Sequence, residues 1–167
     1  MPVKPNLQSN QMENLTETAT ATTVERVIEP VAITAMRLVK SEDLNHHRTL
    51  FAGRSAEWFV EAGFIAVSQL VDPRNAVCLK IHGMQFTKPV NPGQVVSFNA
   101  KVAYTGKSSL IVYVAVTVPG TAKVIVDGFI SFVHVDDEGK SKPHNIRIQP
   151  VSNEDKILFE RAKELKR

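Results

Sequence analysis

One segment constrains the fold of this chain more than any other. Residues 55–71 read SAEWFVEAGFIAVSQLV and are apolar on nearly every side. Their length favours a helix over a strand, and Asp72-Pro73 ends the pattern. A helix that is apolar all round has to be enclosed by other structure. The sequence therefore predicts a central helix that the rest of the chain covers.

Five segments with strand patterns surround this helix. One precedes it and four follow: residues 31–39, 76–86, 96–104, 110–118 and 124–135. Short turns separate the last strands, and such turns join antiparallel neighbours because parallel pairing needs a long crossover. We predict an α+β fold in which a five-stranded antiparallel sheet covers the helix. Residues 110–118 are apolar on both faces, which predicts that the second face also meets protein and favours oligomerisation.

The two ends of the chain differ from this middle part. Residues 1–28 are rich in Thr, Asn and Gln and lack aromatic residues, so we expect a flexible leader. Residues 152–167 carry apolar side chains at helical spacing behind a capping serine, which predicts an amphipathic helix. We therefore divide the chain into a leader (1–28), a main domain (29–144) and a C-terminal helical region (145–167).

Composition excludes several function classes. The 167 residues suffice for one buried core, and the net charge of +3 is too small to indicate a nucleic-acid-binding protein. No apolar run is long enough to span a membrane, and the N-terminal residues do not resemble a secretory signal. The single cysteine, Cys78, cannot form an internal disulfide, and its apolar surroundings predict an inert buried thiol. A cytoplasmic protein is the prediction.

Two glutamates interrupt the apolar helix. Glu57 and Glu61 are four residues apart and therefore share one face. An ionised carboxylate in a buried helix is costly unless it is paired or used. Either the pair belongs to a functional site, or this stripe simply faces solvent or a subunit boundary.

The loop before the helix offers a second candidate site. Asn45-His46-His47 contains two histidines, but adjacent histidines rarely bind one ion together and no third ligand has zinc-like spacing. We interpret the loop as polar structure at the start of the helix, without a metal. The free backbone N–H groups that follow it, together with the helix dipole, can hold an oxyanion.

A third candidate is the turn Gly106-Lys107-Ser108-Ser109. It is similar to the end of a phosphate-binding loop, but the upstream glycine is missing and the turn joins two strands. As a hairpin it can still offer Lys107 and the two hydroxyls to a phosphate, or it can be a turn and nothing more.

Four segments together resemble acyl-CoA thioesterases of the hotdog fold, the cytosolic acyl-CoA hydrolase type. The resemblance covers roughly residues 31–144, in order and with near-gapless spacing. The matching segments are NHHRTLFAGR with EWFVEA (45–54 and 57–62), FTKPV with PGQVV (86–90 and 92–96), AYTGKSS (103–109) and FVHVDDEGK (132–140).

This resemblance implies a sheet wrapped around the helix, paired into dimers and often hexamers, with acyl-CoA bound at the dimer interface. Asn45 would place water or substrate, and backbone N–H groups at Ala52 and Gly53 would hold the thioester oxygen. A helix carboxylate would act as general base or nucleophile. Lys107, Ser108 and Ser109 would meet the CoA phosphates. No cofactor is implied, because the CoA thioester is the substrate.

The chain departs from the family pattern at the carboxylate. The family's aspartate falls on Val60, while Arg48 and Ala52 replace the usual glycines. Three interpretations stay open: Glu61 serves if the helix is rotated, Glu57 reaches the same space from the preceding turn, or hydrolysis is lost. We expect a hydrolase that uses Glu61, Glu57 or both.

Two other functions compete with hydrolysis. A hotdog dehydratase of 3-hydroxyacyl thioesters pairs a histidine with a helix carboxylate, and His47 lies at a similar offset before Glu61. The Pro-Gly pair expected before its helix is missing. A non-catalytic acyl-CoA-binding module is the other alternative, and it is consistent with Val60.

Overall fold

A computed structural model describes residues 24–121 and 123–166 of the protein. Its seven strands and two helices are β1 (Arg26–Ile28), β2 (Ala32–Leu38), α1 (Ala52–Ser68), β3 (Ala76–His82), β4 (Val95–Thr105), β5 (Ser109–Thr117), β6 (Val124–His134), β7 (Ile146–Ile148) and α2 (Asn153–Glu164). Most of the leader predicted for residues 1–28 lies outside the described residues.

Five of the strands form one antiparallel sheet in the order β2-β4-β5-β6-β3. This confirms the predicted five-stranded sheet. A short turn links β4 to β5, and β4, β5 and β6 form the centre of the sheet. The edges are β2 and β3, which flank α1 in the sequence.

The central helix packs against the concave face of this sheet. Phe59 and Val67 are fully buried and meet inward-facing side chains such as Phe98 and Phe132. The prediction of a covered central helix is confirmed, but the enclosure is incomplete because one stripe of α1 remains exposed. That stripe contains both glutamates and the partly exposed Ile65.

The second helix covers the opposite face of the sheet. Leu158 and Ala162 of α2 pack on Ile111 and Phe129, and Lys101 Nζ lies 2.8 Å from Asp155 Oδ1. The apolar outer face of β5 is therefore covered by the chain's own helix. The apolar residues on both faces of β5 are therefore not evidence for contact with a second copy of the chain.

A small parallel sheet ties the two ends of the described chain together. Arg26–Ile28 pairs with Ile146–Ile148, and both terminal isoleucines pack against the main core. Residues 26–28 fall inside the predicted leader, so this part of the leader forms a strand instead of the expected flexible chain. Three-residue strands are too short to produce a detectable alternation.

Strand β3 is shorter than predicted. It ends at His82 instead of residue 86, and its register shifts between Cys78 and Lys80. Gly83 has φ +73°, and its carbonyl lies so close to Gly128 that a Cβ there would overlap it. Cys78 is exposed, which corrects the prediction of a buried thiol; partial burial nevertheless raises its pKa. No helix among residues 24–121 and 123–166 is long and apolar enough to cross a membrane.

Candidate active site at the start of helix α1

Asn45 organises the loop that leads into α1. Its Oδ1 accepts the backbone N–H groups of His47 (2.9 Å) and Thr49 (3.2 Å), and its Nδ2 donates to Thr49 Oγ1 (3.1 Å). Two backbone donors fix the orientation of the amide, because only an oxygen can accept them. The oxygen is thus used by the loop, and the second N–H of the amide is the group that Asn45 can offer to a ligand.

The first turn of α1 is not capped by a side chain. Phe51 occupies the N-cap position and makes no capping hydrogen bond. Among the described residues, no acceptor lies within hydrogen-bonding distance of the backbone N–H groups of Ala52 and Gly53. Both residues are exposed. Free N–H groups at the positive end of a helix dipole form a ready site for a carbonyl oxygen or an oxyanion.

Asn45 and Ala52 both line a cavity of about 250 Å³, which Gly53 does not line. The segment from Phe86 to Val90 and the start of β6 form its opposite wall; the lining residues are Asn45, Thr49, Leu50, Ala52, Ser55, Phe86, Thr87, Lys88, Pro89, Val90, Ile125 and Val126. The cavity combines amide and hydroxyl groups at one end with apolar side chains at the other. This pairing suits a polar carbonyl joined to an apolar chain.

The sequence did not reveal Ser55 or the apolar wall. Ser55 is 3% exposed and lines the cavity. The sequence feature that could have indicated Ser55 is its spacing, because it lies four residues before the buried Phe59 and therefore on the same face of α1. Phe59 itself is fully buried in the core and does not line the cavity.

Both helix glutamates lie outside this cavity. Glu57 Oε2 accepts from Arg54 Nη1 at 2.8 Å, and Glu61 Oε2 accepts from Arg37 Nη2 at 3.0 Å. About half of each side chain is exposed. Val60, at the position of the family's aspartate, is half-buried against the core. Within one protomer the structure brings Asn45 to the helix N-terminus and leaves both carboxylates on another face of α1.

The hairpin from Gly106 to Ser109 lies at the other end of the sheet. Thr117 pairs with Val124 beside the Asn45 cavity, whereas the hairpin joins β4 and β5 at the far end of β5. Nine residues of β5 separate the two ends, a distance of about 27 Å. The hairpin of one protomer therefore does not reach the α1 cavity of the same protomer.

The hairpin is itself well ordered by its neighbours. Ser109 O accepts the backbone N–H of Gly106, and Ser108 O accepts that of His134. His144 also contacts Ser109 O through Nε2, and burial lowers the pKa of His144. Lys107 is exposed on a cavity of about 480 Å³ that Arg147 and Lys166 also line. Glu25 also lines this cavity and pairs with Arg147 at 3.0 Å, so Lys107 and Lys166 are the basic groups that remain for a phosphate.

The two histidines of the loop are exposed. The rings of His46 and His47 lie 3.9 Å apart, centroid to centroid. No group of three metal-ligating side chains occurs within residues 24–121 and 123–166. His47 has no contact with Glu61, whose carboxylate is held by Arg37.

A family profile and a curated relative match the sequence of this chain. The profile of the family described as Thioesterase superfamily matches residues 47–125. YkhA of Bacillus subtilis, named an uncharacterised acyl-CoA thioester hydrolase, is 28% identical over 124 residues, which cover 72% of this chain and 71% of the relative.

Solved structures are similar over most of the chain. An acyl-CoA hydrolase of Staphylococcus aureus, solved with butyryl-CoA, CoA and CoA disulfide, has a TM-score of 0.71 and 26% identity, covering 80% of each chain. An acyl-CoA hydrolase of Bacillus cereus has a TM-score of 0.74 and 25% identity, covering 80% of this chain and 83% of its own. A hexameric acyl-CoA thioesterase has a TM-score of 0.76 and 26% identity, covering 84% of this chain and 93% of its own. Residues 47–125 therefore match the thioesterase superfamily, and the chain shares the hotdog fold of the solved acyl-CoA hydrolases.

Proposed function

We propose that this protein hydrolyses acyl-CoA thioesters to a free acid and CoA. The observation that carries the proposal is the uncapped N-terminus of α1, which opens on the Asn45 cavity in a fold shared with acyl-CoA hydrolases. The reaction needs only water besides the thioester, so no cofactor enters it. A chain with a single cysteine has no internal disulfide, which is typical of cytoplasmic proteins, so the cytoplasm remains the proposed compartment.

The residues of the cavity suit the two halves of this substrate. The backbone N–H groups of Ala52 and Gly53 receive the thioester oxygen as it becomes an oxyanion, and Asn45 Nδ2 donates to the water or the substrate. The apolar wall around Phe86 and Ile125 takes the acyl chain. A carboxylate of α1, Glu57 or Glu61, activates the water.

A second copy of the chain completes the site. In one protomer neither glutamate lines the Asn45 cavity, and the Lys107 hairpin lies at the opposite end of the sheet. We propose that Lys107, Ser108 and Ser109 of a second copy hold the CoA phosphates. A second copy can also pair with the edge strand β3, whose outer backbone N–H and C=O groups have no neighbouring strand among the described residues of one protomer.

Strand β3 is the surface proposed for this pairing. It is an edge strand, and Val77, Leu79 and Ile81 are 43%, 64% and 40% exposed. An exposed apolar edge strand favours association unless something covers it. Pairing of two β3 strands would join two five-stranded sheets into one. Three such dimers would give the hexamer that is reported for the thioesterases of similar structure.

Release of CoA thiol tests the function. The purified full-length chain is incubated with short-, medium- and long-chain acyl-CoA, and free thiol is measured against time. Turnover on at least one acyl-CoA is expected. Binding of acyl-CoA without thiol release would favour a non-catalytic binding module, and hydration of an enoyl-CoA without thiol release would favour the dehydratase; either result overturns the proposal.

A further inference from the structure

A buried carboxylate lies beside the start of α1. Asp43 is 4% exposed, its Oδ2 accepts the backbone N–H of Lys40 (2.9 Å), and its Oδ1 lies 3.1 Å from Arg54 Nε. A buried ionised carboxylate is costly to leave unpaired. Asp43 and Arg54 therefore hold each other in one arrangement.

Arg54 passes this restraint on to Glu57. Its Nε faces Asp43, and its Nη1 donates to Glu57 Oε2 at 2.8 Å. An exposed ion pair between residues three apart on a helix stabilises little and would not fix a side chain by itself. Here the guanidinium is planar and is held on its other edge by a buried carboxylate. Asp43 consequently determines where the Glu57 carboxylate lies.

Glu57 also shares a cavity with the helix N-terminus. A cavity of about 360 Å³ is lined by Glu57, Gly53 and Phe51, together with Asp43 and Arg54. Gly53 carries one of the free backbone N–H groups, and Phe51 is the uncapped N-cap residue. Glu57 and Gly53 thus line one cavity.

Glu61 has a different environment. Arg37 of β2 holds its carboxylate at 3.0 Å, and Glu61 lines none of the cavities described above. Around the helix axis, Glu57 is rotated about 60° from Val60 and lies nearly one turn closer to the N-terminus of α1. Glu61 is rotated about 100° from Val60 and lies one residue further from that N-terminus. Glu57 is the carboxylate closer to both the family position and the oxyanion donors.

We propose that Glu57 is the water-activating carboxylate and that Asp43 and Arg54 are its positioning residues; this inference rests on the proposed hydrolysis. Glu57 takes a proton from water as the water oxygen bonds to the thioester carbon. The C–S bond then breaks, its electron pair goes to sulfur, and the proton passes from Glu57 to the thiolate. One water and one thioester yield one acid and one CoA thiol.

Single substitutions test the choice of carboxylate. Glu57→Gln is expected to lower kcat by about 10²–10⁴-fold with little change in KM. Glu61→Gln is expected to lose at least tenfold less. The matched control is Glu160→Gln on α2, which removes an exposed carboxylate that also faces a basic side chain three residues away and should leave kcat unchanged. Full activity of Glu57→Gln in an otherwise active protein overturns the inference and leaves the proposed function intact, whereas an inactive wild type overturns the function.

A double-mutant cycle tests the positioning role. Asp43→Asn should lower kcat about 10–100-fold in the wild type and should change nothing further when Glu57→Gln is already present, because it acts through Glu57. If Asp43→Asn lowers kcat by the same factor in the wild type and in Glu57→Gln, its role is structural and the proposed positioning of Glu57 is overturned. Arg54→Gln replaces Asp43→Asn in the cycle if the latter fails to fold, since Arg54 is partly exposed.

Discussion

At the scale of single residues, backbone geometry and hydrogen bonding give Asn45 its role. Its oxygen is occupied by two loop N–H groups, and its amide nitrogen has one proton to spare. The loop bends at Arg48, which adopts φ +60°, a conformation that favours glycine. The family's usual glycine at this position has a physical reason, because a side chain there strains the backbone.

Asn45→Asp isolates the donor function. The aspartate oxygens can still accept from His47 and Thr49, so the loop should keep its form, but the amide donor is lost. We expect a folded protein with kcat reduced at least tenfold, measured by thiol release. Unchanged kcat in the folded variant would show that the Asn45 amide does not act on substrate or water.

Arg48→Gly should stabilise the protein. A non-glycine residue in the left-handed conformation costs the folded state about 1–2 kcal/mol. Glycine removes this cost but also makes the unfolded chain more flexible, which cancels part of the stabilisation. We expect the free energy of unfolding to rise by about 0.5–1 kcal/mol in urea titrations. Arg48→Ala keeps a Cβ and serves as the control without a gain; equal stabilisation by both would contradict the strain argument.

At the scale of elements, α2 is attached to the sheet by a charged contact. A side-chain hydrogen bond from Lys101 lowers the pKa of Asp155 from 3.8 to about 2, with Ser152 adding to the effect. A group whose pKa is lower in the folded state stabilises above its ordinary value. That stabilisation is lost as the pH falls from about 4 towards 2.

Asp155→Asn tests this attachment, since it keeps an oxygen for the Ser152 cap and removes the charge. We expect unfolding at pH 7 to become easier by about 1 kcal/mol, with the difference shrinking as the pH falls below 4. The control is Glu154→Gln, whose carboxylate is 75% exposed and 3.8 Å from Lys101, and which should have a smaller effect. A difference that does not change with pH would rule out the charge as its source.

The sequence predicted the elements of this fold better than their contacts. Residues 55–71 and the alternating strands determine the helix and the sheet through periodicity alone. Periodicity does not say what covers a face, so α2 on the outer side of β5 and the β1–β7 pair were missed. Asn45 and Ala52 could be proposed together from the sequence because they are close in the chain, while the Phe86–Val90 wall joins their cavity only by long-range folding. The choice between Glu57 and Glu61 depends on Arg54 and Asp43, and no sequence spacing reveals that contact.

At the scale of the whole molecule, the proposed site is incomplete in one protomer. The sheet has an apolar edge at β3, and the candidate CoA-binding hairpin is separated from the α1 cavity of its own protomer by the length of β5, about 27 Å. A two-fold pairing of identical copies would supply each missing part twice, once to each of two sites.

Leu79→Glu tests the proposed interface. Leu79 is 64% exposed on β3, and a charge there should oppose pairing of the two edges. We expect monomers by light scattering and a loss of thiol release. Met36→Glu is the matched control, since Met36 is 58% exposed on the opposite edge strand β2 and the variant should keep the dimer. A Leu79→Glu protein that remains dimeric would place the interface elsewhere.

The most direct test of a site shared between two copies is complementation between two inactive variants. One carries Asn45→Asp, and the other carries both Glu57→Gln and Glu61→Gln, so that the result does not depend on which glutamate acts. If Asn45 of one copy works with the carboxylate of another, a mixed dimer contains one intact site and one doubly altered site. Mixing equal amounts under subunit exchange should then restore thiol release to about a quarter of the wild-type rate. Activity no greater than the sum of the separate variants would show that each site is built within a single chain.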